Sequence, residues 1–402
     1  MVPQMISIQN NQRILIQASW LFDGQTSVLQ KNASLFIVNN ILHSHTTIPS
    51  SIPYLTPTQV FHFPHCTILP GLVDCHVHLA LDGLDFQHTL KRWNSPTKNW
   101  LQEEQHILEA LQHGIMVLRD GGDKNGIALA ISRQRKREHK TTPFLCSSGP
   151  ALRKEHFYGS FLGPACDPQK LSKIIQERRH TGATHIKVLV SGIASFQEYG
   201  KVGSIQFTQQ ELNHLVQIAT SYGLPVMAHA SSDQAVQMAI KAGVRSIEHG
   251  YFMTKATLKE MATKGIVWVP TLAAVANQLQ EGYAQQYTEK ERKNIAKMVQ
   301  SQLEMVALAG EFNVSLAIGT DAGANGVFHG KDYLTELLLM QKAGLSTSKI
   351  LSAAISGGAG LLGLNHHGTF GVGQPVSCII VQGNPLQDMR CLSQIHSIFY
   401  PA

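Results

Sequence analysis

The chain has 402 residues, 43% of them hydrophobic and only 15% charged, which is enough apolar material for a large core and more than one compact unit. Its net charge of +6 is small for this length and argues against a nucleic-acid partner. Six scattered cysteines with no CxxC pair exclude a disulfide framework, and no apolar run reaches membrane-spanning length, so a soluble cytoplasmic protein without a signal peptide or a membrane partner is expected.

The first segment alternates in strand fashion. Residues 13–18 and 33–38 read as strands, with turns at Phe22-Asp23-Gly24 and Asn39-Asn40. Residues 43–58, with Ser50-Ser51 and three prolines, read as a connection. From Cys66 onward, strand-like runs alternate with helical ones. The runs end near His78, Asp120, Cys146, Val190, His229, Gly250, Val269 and Asp321. Amphipathic helices are expected at 209–222, at 233–242 before Gly243, and at 290–309 before Gly310. The basic run 133–140 follows a short helix at 127–131 and reads as its solvated C-terminal end. Eight strands alternating with helices imply a parallel β/α architecture, and the count suits a closed barrel. Two further helices, 333–343 and 346–362, precede a β-like tail at 368–381.

The stretch Leu69-Pro70-Gly71-Leu72-Val73-Asp74-Cys75-His76-Val77-His78 ends an apolar run in two histidines. Side chains two apart share one face of a strand, so His76 and His78 point together and Val77 points away. Two imidazoles on one face can hold a divalent metal, although the pair alone also reads as two half-buried histidines. Four later runs each carry a metal-competent residue: Lys187, His229, His249 and Asp321. In a barrel, functional residues fall at the C-terminal ends of the strands, where these candidates lie. Four histidines, a lysine and an aspartate suit a pair of borderline divalent ions such as zinc. An ammonium would repel a metal, so Lys187 at a ligand position has to be deprotonated or modified. The other readings are a snorkelling lysine or one that pairs with a substrate carboxylate.

The motifs PGLVDCHVHL, HIKVLVSG, VMAHA, RSIEHG and AIGTDAG, in that order, resemble the amidohydrolase superfamily. The resemblance is to the branch of imidazolonepropionase, prolidase-like and basic-residue carboxypeptidase enzymes. It implies a (β/α)8 TIM barrel over residues 66–365, flanked by a small β-sandwich built from 1–65 and 366–402. It also implies that carbon dioxide carboxylates Lys187, giving a carbamate that bridges two divalent ions, zinc by expectation. His76, His78 and Asp321 would hold the first ion, and His229 and His249 the second. Asp321 would also take a proton from the activated water and pass it to the leaving nitrogen. Asp120 reads equally as a residue orienting the first ligands and as a structural carboxylate.

Several positions depart from the resembled pattern. Pro375-Val376-Ser377-Cys378 stands where Lys-x-Ala-Asp is usual, so a trimmed sandwich is expected. ALRKEHFYG stands where prolidase-like relatives carry ITGGH, with His156 in a comparable place. Ser191-Gly192-Ile193 replaces Ser/Thr-Gly-Gly, and the second histidine often found near VMAHA is replaced by serine. Substrate contacts are sought on the loops after the strands, at Arg153, His156, Tyr158, Tyr251 and His329. The reading is a metal-dependent hydrolase of an amide-type C–N bond in a small-molecule substrate, an N-acyl amino acid or a dipeptide-like compound. Its rivals are a mononuclear deaminase or cyclic-amide hydrolase of the imidazolonepropionase type, which lacks the bridging lysine, and a non-catalytic binding protein on the same barrel. A homo-oligomer is left open.

Overall fold

Both ends of the chain meet in one sheet. The computed structural model describes residues 2–47, 57–140, 142–364 and 366–401. The N-terminal strands are β1 (Gln4–Ile8), β2 (Arg13–Leu21), β3 (Gln30–Val38), β4 (Ile41–Thr47) and β5 (Gln59–Pro70). Asn39 and Asn40 join β3 to β4 with φ of 53° and 67°, the left-handed pair that a two-residue hairpin needs and that asparagine tolerates. The hairpin corrects the expected connection at 43–58: its first residues continue β4, whose Leu42 is buried. Ser50-Ser51 and the prolines at 49 and 53 lie outside the described residues.

The next seven strands are parallel. β6 (Leu72–Val77), β7 (Ile115–Asp120) and β8 (Phe144–Ser147) form one sheet. β9 (Ile186–Leu189), β10 (Val226–Ser232), β11 (Ser246–Phe252) and β12 (Val267–Val269) form another. Isolated bridges link them: Leu152 pairs with Val188, Trp268 with Leu316, and Val77 with Ala322. The expected single closed sheet is thus two parallel sheets with an eighth, irregular segment at 315–322. That segment still donates and accepts along β6, through Cys75 N–H to Ile318 O at 2.7 Å and Asp321 N–H to His76 O at 2.8 Å. Its irregularity has a local cause. Asp321 has φ +61°, and a Cβ on Gly319 would come within 2.5 Å of Val269 and 2.7 Å of His76.

The chain then returns to the first sheet through β13 (Cys378–Gln382) and β14 (Ile395–Pro401), giving the order β1-β14-β13-β5-β2-β3-β4. Ile41 at the start of the edge strand β4 bridges to Pro375, just before β13. This sheet has its own apolar core, including Ile14, Ile16, Leu35, Ile37, Ile380 and Phe399. The parallel strands and their helices enclose a separate core around Ile115, Ile186, Val226, Ile247 and Trp268.

The helices also refine the expectations. The helix expected at 127–131 runs on to Arg137, and its Arg135 is buried and paired with Glu104 at 2.7 Å, so the basic run is only partly a solvated end. The helix expected at 290–309 spans Glu289–Glu311, passing Gly310, and begins with a capping box at Thr288 and Glu291. The helix after Ser346 contains a π turn at Ala353–Gly357. All six cysteines are free thiols. Among the described residues, no helix is long and apolar enough to cross a membrane.

Candidate metal centre

His76 lies near the end of β6 and His78 directly after it, and alternation turns both rings to one side. His76 donates Nδ1–H to the Glu248 carboxylate at 2.9 Å, which leaves Nε2 as a lone pair 3.3 Å from Asp321 Oδ1. His78 donates Nδ1–H to Gly122 O at 3.0 Å, leaving Nε2 3.5 Å from the same oxygen. On β11, His249 Nδ1 lies 2.7 Å from Thr271 Oγ1. That hydroxyl already donates to Pro270 O, so it accepts from His249 and frees the Nε2 lone pair. On β10, His229 gives Nε2–H to Gly192 O at 3.2 Å, leaving Nδ1 free. Each imidazole therefore has one nitrogen fixed by a protein acceptor and the other turned inward as a lone pair, which in His76 faces Lys187 Nζ at 3.3 Å. The rings converge: His76 and His249 centroids are 5.0 Å apart, and those of His229 and His249 4.6 Å. Single ligand atoms of His76, His249 and Asp321 lie within 4.8 Å of one another.

Lys187, in the middle of β9, is fully buried with Nζ 3.3 Å from His76 Nε2. Burial lowers its pKa, opposed by Glu248 and Asp321, and so favours the neutral amine. Burial likewise holds the imidazoles neutral, taking His78 and His229 down to about 3 and His76 and His249 well below the ordinary value. It pushes the Asp321 carboxyl up, opposed by Lys187. His249 and Asp321 both sit at left-handed φ, +69° and +61°, a conformation costing non-glycine residues about 1–3 kcal/mol.

Four residues not singled out from the sequence complete the centre. Arg119 of β7 donates from Nη2 to both Glu248 oxygens at 2.9 and 3.0 Å, and from Nε to Cys75 O at 2.6 Å. Asp74 accepts from the backbone N–H of His76 at 3.2 Å and of Thr320 at 3.1 Å, tying β6 to the 315–322 segment. Thr271 fixes His249. The available signal was the placing of Arg119 and Glu248, of opposite charge, inside two fully or largely buried strands. Asp120 accepts from Leu79 N–H at 3.0 Å and Gly122 N–H at 2.9 Å, so it shapes the loop whose carbonyl holds His78.

Lys187, His229, His249 and Asp321 open into a cavity of about 850 Å³. Of the expected substrate contacts, Tyr158 and Tyr251 line it. The Tyr158 ring is 5.7 Å from His229, and Tyr251 stacks 5.5 Å from His249. The other three lie outside its lining. Arg153 is occupied in bracing its own loop, donating to Gly163 O at 2.7 Å and Lys154 O at 2.8 Å. The His156 side chain is 90% exposed. His329 is buried against His106, ring centroids 4.3 Å apart, and donates to Leu81 O.

The parallel β/α fold with this cluster of imidazoles, lysine and aspartate is that of a hydrolase acting on carbon–nitrogen bonds, the class to which its family and relatives belong. The chain belongs to the Amidohydrolase family, whose sequence pattern matches residues 67–399. Enzymes of this family generally use divalent metals. The chain is 24% identical to the ochratoxinase of Aspergillus niger over 94% of its own length and 83% of that protein. It is 25% identical to an imidazolonepropionase of Polaromonas sp., covering 79% of this chain and 75% of that one. In three dimensions it resembles a Xaa-Pro dipeptidase crystallised with methionine in its active site, with a TM-score of 0.80, 25% identity, and coverage of 96% and 98%.

Proposed function

We propose that this protein is a binuclear, metal-dependent amidohydrolase that cleaves an amide-type C–N bond. The observation that carries the reading is the convergence of four imidazoles, each with one nitrogen committed to a protein acceptor and the other turned inward, beside Lys187 and Asp321. This donor set suits zinc. His76, His78 and Asp321 would hold one ion and His229 and His249 the other, with a carboxylated Lys187 between them. Burial brings the Lys187 pKa down to about 8 and so enlarges the share of neutral amine, the form that reacts with carbon dioxide. When bound, the ions supply Lewis acidity towards the substrate carbonyl and make a water molecule more acidic. Asp321 accepts the proton of the attacking water at a carboxylate oxygen and returns it to the leaving nitrogen. Tyr158 and Tyr251 wall the cavity and limit bulk water around the reacting amide.

The architecture belongs to the same proposal. The two parallel sheets, the 315–322 segment and the bridges between them support one (β/α)8 barrel, but it starts at β6 and not at residue 66, because residues 66–70 extend β5 and pair with β13. The seven-stranded sheet with its own core supports a small sandwich made from 1–70 and 366–402.

A second reading, a mononuclear enzyme of the imidazolonepropionase type, is favoured by the compact trio of His76, His249 and Asp321. Elemental analysis of protein grown with zinc and bicarbonate separates the two. The binuclear proposal expects about two ions per chain in enzyme that hydrolyses N-acyl amino acids, dipeptides or simpler amides. A constant single equivalent in fully active protein would select the mononuclear reading.

A further inference from the structure

We infer that the substrate is an uncharged amide with a bulky apolar, aromatic group attached beside the scissile bond; this rests on the hydrolase reading above and names its substrate class. A cavity of about 850 Å³ is large for a dipeptide, and stands in the upper part of the range for small-molecule sites. Its walls carry rings as well as ligands: Phe86 meets Phe161 edge to face at 4.9 Å, and Tyr158 meets Phe161 at 5.9 Å. The apolar lining continues out to solvent. Leu84 is 68% exposed, Ile193 53% and Phe86 43%, and all three line this cavity. A free enzyme that keeps large apolar side chains in water around its active-site mouth presents a surface for an apolar group to cover.

The charges of the lining point the same way. Among the described residues, its cationic side chains are Lys187, which belongs to the ligand cluster, and Lys201, which pairs with Glu198 at 2.8 Å. Asp82 and Glu291 add negative charge; Asp82 is matched by Arg92 at 3.0 Å, and Glu291 caps its own helix. Arg153, the sequence candidate for gripping a carboxylate, spends its guanidinium on loop carbonyls. A substrate carboxylate seated in the cavity away from the ligand cluster would lose water without gaining a free cationic side chain, which is costly. An aromatic group loses nothing polar and gains contact with the rings.

The test uses the full-length, zinc-loaded protein in bicarbonate buffer with three compounds: N-phenethyl-2-naphthamide, its carboxylated counterpart N-(2-naphthoyl)-L-phenylalanine, and the small N-ethylacetamide, which lacks both aromatic groups. The uncharged naphthamide is expected to have a kcat/KM at least about tenfold above either of the others, since single methylenes in apolar pockets are worth factors of that size. Leu84→Glu and Ile193→Glu, at exposed positions that do not threaten folding, should each lower the naphthamide-to-acetamide ratio about tenfold. Equal or better cleavage of the carboxylate, or of the acetamide, overturns the inference. Naphthalene fluorescence separates the two levels of the argument if nothing is cleaved. Saturable binding of the naphthamide that is weakened by Leu84→Glu supports the substrate class while the hydrolase reading fails. Absence of such binding overturns the substrate class itself.

Discussion

Glu248 reaches from β11 to accept the Nδ1–H of His76 at 2.9 Å, and both side chains are fully buried. The carboxylate thereby fixes which nitrogen of His76 is bare, and it raises the basicity of that nitrogen as a ligand. Arg119 balances its charge, so the pair forms part of a buried network that is stable only while complete.

Glu248→Gln should therefore lower zinc affinity about 10–100-fold, the usual effect of losing a partner behind a ligand. Chelator competition measures it without any substrate. The variant also leaves Arg119 as a buried cation without its counter-charge. Combining it with Arg119→Met should recover part of the lost stability, as read from urea midpoints, without recovering zinc affinity. Unchanged zinc affinity in Glu248→Gln would count against the positioning role.

Lys187→Ala should lower both metal content and turnover, because the amine that would carry the bridging carboxyl group is gone. Acetate or propionate should restore part of the activity by supplying carboxylate oxygens. Carbon-13 NMR of the parent protein in labelled bicarbonate should show a carbamate resonance that Lys187→Ala lacks. Normal metal content and rate in the variant would remove the carbamate from the mechanism.

The candidate histidines and Asp321 were legible because each closes an apolar run, and Lys187 because a lone cation stands inside one. Glu248 was not, because strict alternation puts it on the face opposite His249. The left-handed φ of His249, +69°, breaks that alternation at β11, so both side chains serve the same interior. Asp321 has the same device at +61°, which is also why the eighth expected strand forms bridges instead of a regular ladder. Arg153 was misplaced for a different reason. Its position after a strand was readable, but the curl of residues 154–163 that brings two or more carbonyls onto its guanidinium is a tertiary fact. β4 was missed because its sequence, ILHSHTT, is largely polar, as suits an edge strand held by its hairpin.

The stacked pair His106 and His329 gives a pH dependence outside the ligand set. Burial lowers both pKa values, that of His329 well below the ordinary range. The unfolded chain then binds protons below about pH 6.5 that the folded chain refuses, so stability falls as pH falls through that value towards the folded pKa. Each such histidine contributes at most about 1.4 kcal/mol per pH unit in that window. His329→Gln, which keeps a donor for Leu81 O, should flatten the loss of stability of metal-free protein between pH 6.5 and 5 by up to that amount. Urea titrations at several pH values measure the slope. Parallel slopes in parent and variant would show that His329 takes up its proton while folded.

Asp321 is assigned two tasks, holding a metal and moving a proton, and one substitution separates them. Its Oδ1 lies 3.3 Å from His76 Nε2 and 3.5 Å from His78 Nε2, so it shares the space of the bare nitrogens. Asp321→Asn keeps the shape and one ligating oxygen but accepts no proton at working pH. The expected outcome is retention of most of the metal with a loss of about 10²–10⁴-fold in kcat, the range for general acid–base catalysis. Metal content and rate have to be read on the same sample. If Asp321 is a ligand alone, activity should fall in proportion to metal lost and return when metal is added back. Full metal with a near-normal rate would remove the proton transfer from Asp321 and require another buried base beside the four histidines.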